Sequence, residues 1–374
     1  MDLIDSQAES ADVTATGKGH FEVLDGMRGS AAILVVLFHI MGMPNNWRDD
    51  GQLLHHAAMA VDFFFALSGF VIAYAYDDRW TAMSIRQFLT ARLIRLHPLV
   101  LLGAVLGLLA FLFDPFATNQ AEVPLGTVLL DFALACLLLP YAALPNRWTD
   151  THSLDSPAWS LLQEYIGNLL YALILRRLGA KALGGVVVLA GMVLFAMAYN
   201  GNSIDGGSDW DSLMQGPARM AFSFTLGLWL YRIRHRAPKL RLGWLVSTLI
   251  LAGLFAVPQM PGPHGTAIYE FALVALVFPL LILCGAHSRI GAAEMALCQV
   301  AGRISYPIYM LHYPFLLIYM TFVDFRKPEP DTKRLAAAGA FVAAVAFAWL
   351  ALKFYDEPVR RTLKTAIKRG KPLP

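Results

Sequence analysis

Arg28 and His39 stand eleven residues apart in the run Leu24-Asp25-Gly26-Met27-Arg28-Gly29, then Ser30 through Phe38-His39. On a helix eleven residues turn through about 1100°, so the two side chains point within about 20° of one another and lie about 16 Å apart along the axis. That is about half the apolar thickness of a bilayer. Ionisable groups are costly in hydrocarbon, so a histidine at that depth, in line with an arginine at the mouth, suggests a site. The natural chemistry is removal of a proton from a hydroxyl. The competing reading is a histidine bonded to a neighbouring helix for packing.

Three more ionisable residues lie in apolar stretches: Asp62, Glu164 and His312. Counting at 1.5 Å per residue from the expected outer ends of their helices puts His39, Asp62 and Glu164 in one layer, about 8–10 Å below the outer surface. His312 comes out near mid-membrane. A histidine oriented by a carboxylate is the usual base for a hydroxyl, so His39 with Asp62 or Glu164 is the expected catalytic set. There is no Gly-x-Ser-x-Gly elbow and no His-Glu-x-x-His, which argues against a serine hydrolase and a zinc protease. Ser68, in Leu67-Ser68-Gly69-Phe70, reads as a small helix-packing residue rather than a nucleophile. Cys136, Cys284 and Cys298 lack metal or redox spacing and are expected to be inert; no metal is expected. Arg92 and Arg95, three apart, share a helix face, and paired guanidiniums suit phosphates. Taken alone, the pair is better explained by ordinary positive-inside anchoring.

The elements that position these residues are membrane helices. Hydrophobic residues make up 57% of the 374 and charged residues 15%, against about 25% charged in a soluble domain. The net charge of +3 gives no reason to expect nucleic acid as a partner. Apolar segments run near 27–46, 57–76, 92–113, 125–143, 158–178, 182–199, 214–231, 243–260, 268–286, 303–323 and 335–355. Eleven crossings would set Arg176, Arg177 and Lys181 opposite Arg79, Arg86, Arg92 and Arg95. The 125–143 segment holds Asp131 and closes at Pro140. If it dips in and returns to the same side, 22 Lys and Arg fall on one face and 6 on the other. The expectation is an all-α integral membrane protein with about ten transmembrane helices, one re-entrant segment and both termini cytoplasmic. Four of the six outer cations (Arg326, Lys327, Lys333 and Arg334) go against the rule. Residues 1–20 read as a polar cytoplasmic tail rather than a cleaved signal peptide, 21–361 as the membrane domain, and 362–374 as a basic cytoplasmic tail.

These motifs resemble the acyltransferase-3 family, integral membrane acyltransferases that modify extracytoplasmic glycans and lipids. The resemblance runs from Leu24 to about Arg361. It rests on the Asp25-to-His39 motif, Val61-Asp62 through Gly69-Phe70, Arg92-x-x-Arg95, Ala158-Trp159-Ser160-Leu161-Leu162-Gln163-Glu164, Ile304-Ser305-Tyr306-Pro307 through His312, and Tyr355-Asp356-Glu357-Pro358. It implies an acyl-CoA donor, commonly acetyl-CoA, with the Arg-to-His motif as the catalytic signature and the paired arginines at the cytoplasmic donor entrance. Arg28, Arg92 and Arg95 are accordingly expected to hold acyl-CoA. Asp25, Trp159, Tyr306 and His312 are expected to line the substrate channel, and Tyr355-Asp356-Glu357 to close the last helix structurally. Expected partners are acyl-CoA, a hydroxylated glycan or lipid-linked acceptor, and the bilayer of a bacterial inner membrane. Many relatives carry a further extracytoplasmic domain after the last helix; this chain stops soon after Tyr355, so its acceptor is expected to reach the membrane layer directly. Pro307, where relatives often have another residue, is expected to kink its helix. The competing class, a transporter or flippase of a lipid-linked sugar, also needs buried His, Asp and Glu, but no inverted repeat is visible.

Overall fold

The computed structural model describes residues 19–47, 51–236 and 240–368, whose regular structure is helical, with no strand among them. In chain order the helices are α1 Glu22–Gly42, α2 Ala60–Tyr76, α3 Ile85–Leu112, α4 Leu125–Cys136, α5 Ala158–Leu173 and α6 Ala180–Gly201. They continue with α7 Gln215–Ile233, α8 Trp244–Phe255, α9 Gly265–His287, α10 Ala292–Leu311, α11 Tyr313–Arg326 and α12 Pro330–Ile367. Each apolar segment of the sequence has become a helix, and the 303–323 segment has become parts of two.

Local chemistry explains several boundaries. A capping box starts α3: the Gln87 amide donates to Ser84 Oγ at 3.2 Å, and the Ser84 amide donates to Gln87 Oε1 at 2.8 Å. The α10–α11 pair bends by 49° at His312. Pro314, second in α11, has no N–H for the carbonyl of Met310, so the ladder is interrupted there. Pro307, expected to kink the chain, lies inside α10 without ending it; the bend falls at His312 instead.

Six helices among the described residues are long and apolar enough to cross a bilayer, or seven when the bent pair counts as one span. Length and composition therefore support a multi-pass helical membrane protein but do not confirm about ten crossings. At 12 residues, α4 is about 18 Å long, short of a crossing of about 30 Å.

Close packing is achieved with small residues, as is usual where lipid supplies no hydrophobic contrast between helices. A Cβ on Gly29 of α1 would lie 2.5 Å from the Ala301 carbonyl oxygen, and one on Gly302 of α10 would lie 2.5 Å from Asp25 Cβ. These two glycines let α1 and α10 touch along the face that carries Asp25 and Arg28.

The chain between α4 and α5 decides depth. Thr151 through Ser160 are all buried, so this loop runs inside the bundle rather than over its surface. Its backbone polar groups are partly met by Tyr141 N–H to Thr151 O (2.6 Å) and Thr151 N–H to Ser208 O (2.8 Å). Leu154 lies against Gly107 of α3, and Asp155 Oδ2 lies 2.6 Å from where a Cβ on Gly103 would stand. Helix α5 thus begins well inside the protein.

Three of the four cations that went against the charge rule have local partners. Lys333 Nζ donates to Asn45 Oδ1 (3.1 Å), Arg334 pairs with Asp331 (3.0 Å), and the Arg326 guanidinium lies 6.0 Å from the Phe116 ring.

Candidate active site

His39 lies near the C-terminal end of α1, and its side-chain partner is another histidine. His39 Nδ1 lies 2.9 Å from the Val35 carbonyl and 3.2 Å from His312 Nε2. His312 Nδ1 lies 3.0 Å from the Ile308 carbonyl and 2.9 Å from that of Tyr309. Carbonyls only accept, so each Nδ1 carries its proton, an assignment drawn from the hydrogen bonds. His312 Nε2 is then an acceptor for His39 Nδ1–H. His39 Nε2 keeps its lone pair and makes no hydrogen bond among the described residues. The bend at His312 is what turns this ring toward α1. Tyr313 stands edge-on to His39 with ring centres 5.5 Å apart and donates its hydroxyl to Asp150 Oδ2 (2.8 Å), tying the pair to the buried loop.

The two expected carboxylates are engaged elsewhere. Asp62 Oδ2 accepts from Arg219 Nη2 (2.7 Å) and Nε (3.1 Å), and its Oδ1 accepts from Ser223 (3.3 Å). Arg219 also donates to the carbonyls of Gly206 and Ala58, and both partners of this ion pair are essentially fully buried. Trp159 belongs to the same cluster, its ring 5.3 Å from the Arg219 guanidinium. Arg219 had drawn no attention in the sequence, although an arginine within a long helix opposite a buried aspartate is the usual pairing.

Glu164 sits at a different depth from the one counted. Its Oε1 accepts from Arg92 Nη2 (2.6 Å) and from Ser68 Oγ (2.9 Å). Arg92 lies seven residues into α3 from its start, so Glu164 belongs to the Arg92 end of the bundle and not to the His39 layer. Counting inward from Ala158 assumed that α5 starts at the outer surface; the buried loop carries the chain down before the helix begins. Hydropathy does not record that detour. Orientation of His39 by Asp62 or Glu164 is therefore corrected: the groups that hold its ring are the Val35 carbonyl and His312.

The other end of α1 gathers the remaining residues. Arg28 pairs with Asp25 (2.8 Å) and donates to Ser305 Oγ (2.9 Å) and the Gly302 carbonyl (3.0 Å). Asp25 also meets His20 at 2.6 Å, and this hydrogen bond raises the His20 pKa above its ordinary value. Arg95 and Glu164 are among the electrostatic neighbours of Arg28. Tyr306 donates to the Leu96 carbonyl (2.6 Å). Arg92 and Arg95 do not act as one fork, because Arg92 turns inward onto Glu164 and is 7% exposed, while Arg95 is exposed. Asp25 and Glu164 pair with Arg28 and Arg92; the third arginine, Arg95, is exposed, and Arg28 lies about 16 Å along α1 from His39.

Comparison with known proteins identifies the family. The acyltransferase domain model of the Acyl_transf_3 family matches residues 21–353. The chain is 26% identical over 310 residues to acyltransferase MdmB of Streptomyces mycarofaciens, covering 78% of this chain and 77% of that one. It is 23% identical over 306 residues to the putative membrane-bound transacylase BcsY of Komagataeibacter xylinus (79% and 72%). A protein of Rhizobium radiobacter, protein 2 in the picA locus, is 38% identical over 175 residues, covering 43% of this chain and 84% of that one. No solved structure matches the chain. With the family model spanning nearly its whole length, this chain belongs to the acyltransferase-3 family of membrane acyltransferases.

Proposed function

We propose that the protein is an O-acyltransferase that moves an acyl group, acetyl in the first instance, from cytoplasmic acyl-CoA to a hydroxyl of an extracytoplasmic or lipid-linked carbohydrate. The observation that carries this reading is the partnerless Nε2 of His39, held by His312 and set about 16 Å from the Arg28–Arg95 mouth. The long, thin pantetheine arm of a donor anchored at that mouth bridges such a distance. Arg95 and Arg28 receive the phosphates, and the thioester arrives beside His39. His39 Nε2 takes the proton of the acceptor hydroxyl as the oxygen attacks the thioester carbonyl. The new C–O bond forms, the C–S bond breaks, and the thiolate leaves with the proton from Nε2. His39 Nδ1–H keeps donating to Val35 and His312 throughout, which fixes the tautomer. His312 lies between the carbonyls at the α10–α11 bend and His39, so its role is to position the base.

In this reading α5, α7 and α8 complete a ten-crossing topology in the membrane of a bacterial cell, with α4 re-entrant and the termini cytoplasmic. Cysteines introduced at Ala121 and Thr149 are expected to react with an impermeant reagent from outside, and one at Ala180 only from inside. Thr149 reacting from the cytoplasm would restore eleven crossings and reverse every orientation after α4.

The donor side is tested with purified protein and acetyl-CoA. Slow hydrolysis without acceptor is expected, and a transporter would leave the thioester intact. Arg95→Ala should raise KM for acetyl-CoA by about tenfold, the size of one charge-assisted phosphate contact, with little change in KM for the acceptor. Equal effects on both substrates would return Arg95 to topology anchoring. Arg92→Ala instead strips Glu164 of its counter-charge, and its expected effect is on stability.

A further inference from the structure

Two tryptophans at the outer end of α1 are used by nothing described so far. Trp47 follows α1 directly, and Trp148 lies on the loop between α4 and α5. Both are more than a third exposed, at 39% and 38%. Their ring centres lie 6.1 Å apart with the planes tilted by 52°. Trp47 lies 5.6 Å from the His39 ring and 5.1 Å from Phe38, so it backs directly onto the proposed base.

Three features mark this as a built surface rather than a stray aromatic patch. First, both tryptophans have left-handed backbones, with φ of +59° at Trp47 and +48° at Trp148. That region is a genuine outlier for bulky residues and costs about 1–3 kcal/mol, so it persists only where the surroundings impose it, commonly at binding sites. Second, Trp47 folds back over Gly42, where a Cβ would collide with its ring. Third, the surface is rimmed by amides. Trp148 Nε1–H donates to Asn46 Oδ1 (3.4 Å), Asn146 on the same loop exchanges hydrogen bonds with Asn119 of the α3–α4 loop, and Gln52 lies beside Gly42. Gln52 is 8% exposed, and its Oε1 has no hydrogen-bond partner.

We infer that Trp47 and Trp148 form the platform on which a pyranose ring of the acceptor stacks, presenting a hydroxyl to His39 Nε2. The C–H face of a pyranose is apolar with slightly positive hydrogens, which suits the negative face of an indole, and its ring hydroxyls suit amide side chains. An interfacial anchor would instead turn its rings outward to the headgroups, one at a time. Here two rings from distant segments meet each other, and one of them meets His39. The inference rests on the reading of the acceptor as a carbohydrate and adds where its ring sits.

The test uses purified protein with acetyl-CoA as donor. Soluble gluco-, galacto-, manno-, 6-deoxy- and 2-acetamido-pyranosides serve as acceptors, and long-chain alcohols as non-sugar controls. Trp148→Gly removes the ring while suiting the left-handed backbone, so the fold is not put at risk. At least one pyranoside should accept the acetyl group. Trp148→Gly should raise its KM by about tenfold while KM for acetyl-CoA moves less than about twofold, and Trp148→Phe should recover most of the loss. Transfer to alcohols but to no pyranoside would overturn the platform, as would an equal rise in both KM values. Should the wild type leave acetyl-CoA untouched, the donor reading fails on its own. Pyranoside quenching of tryptophan fluorescence, present in the wild type and lost in Trp148→Gly, then still decides the platform, and its absence overturns it.

Discussion

His39→Ala should reduce acyl transfer by about 10² to 10⁴-fold, the range that a positioned general base supplies, while leaving the folded protein intact. The ring is only partly buried, and among the described residues the one side chain it hydrogen-bonds is His312, so its loss removes chemistry more than packing. His312→Ala should act through His39. Its Nε2 accepts one of the two hydrogen bonds that hold the His39 Nδ1 proton, and the Val35 carbonyl accepts the other. A loss of about tenfold to a hundredfold is expected, the range seen when the supporting partner of a functional histidine is removed. The double variant should be no slower than His39→Ala alone, because the two act as a unit. Rates measured with equal amounts of folded protein check this. A double variant far slower than His39→Ala would give His312 a direct part in the chemistry, and an active His39→Ala would end the mechanism.

Breaking the Asp62–Arg219 pair should cost more stability than any other single change proposed. Both side chains are buried to within 1%, and Arg219 reaches from α7 to α2 and to the carbonyls of Ala58 and Gly206. Removing one member strands the other charge in a low-dielectric interior, at a cost of about 3–5 kcal/mol. Arg219→Met and Asp62→Asn should therefore each lower the thermal midpoint of the purified protein sharply. Asp62→Leu combined with Arg219→Met should regain much of the loss, since a buried pair replaced by apolar groups of similar size is often close to neutral. A full-strength midpoint together with lost turnover in Asp62→Asn would mean that Asp62 serves the reaction after all. The thermal scan and the activity assay thus separate the structural from the catalytic reading of this residue.

The residues of α1 were legible in the sequence because everything they require lies on one element. The rise and turn of a helix set Arg28 and His39 on one face about 16 Å apart, whatever surrounds them. Hydropathy likewise located the apolar segments that became helices, since an apolar stretch must hide its backbone polar groups by coiling. The motifs pointed to the family for the same local reason: each is a short run of adjacent residues. Which groups meet across helices was another matter. His39 meets His312 because Pro314 interrupts the ladder at the α10–α11 bend, and the sequence showed that proline without the direction of the turn. Asp62 turned to Arg219, 157 residues away, a choice made by the close approach of α2 and α7. Glu164 left the His39 layer because the loop before α5 is buried, and a buried loop has no periodicity to reveal its depth. Distance along a helix follows from covalent geometry and one hydrogen-bond pattern. Distance between helices follows from packing and from where the loops run, and only the folded chain decides those.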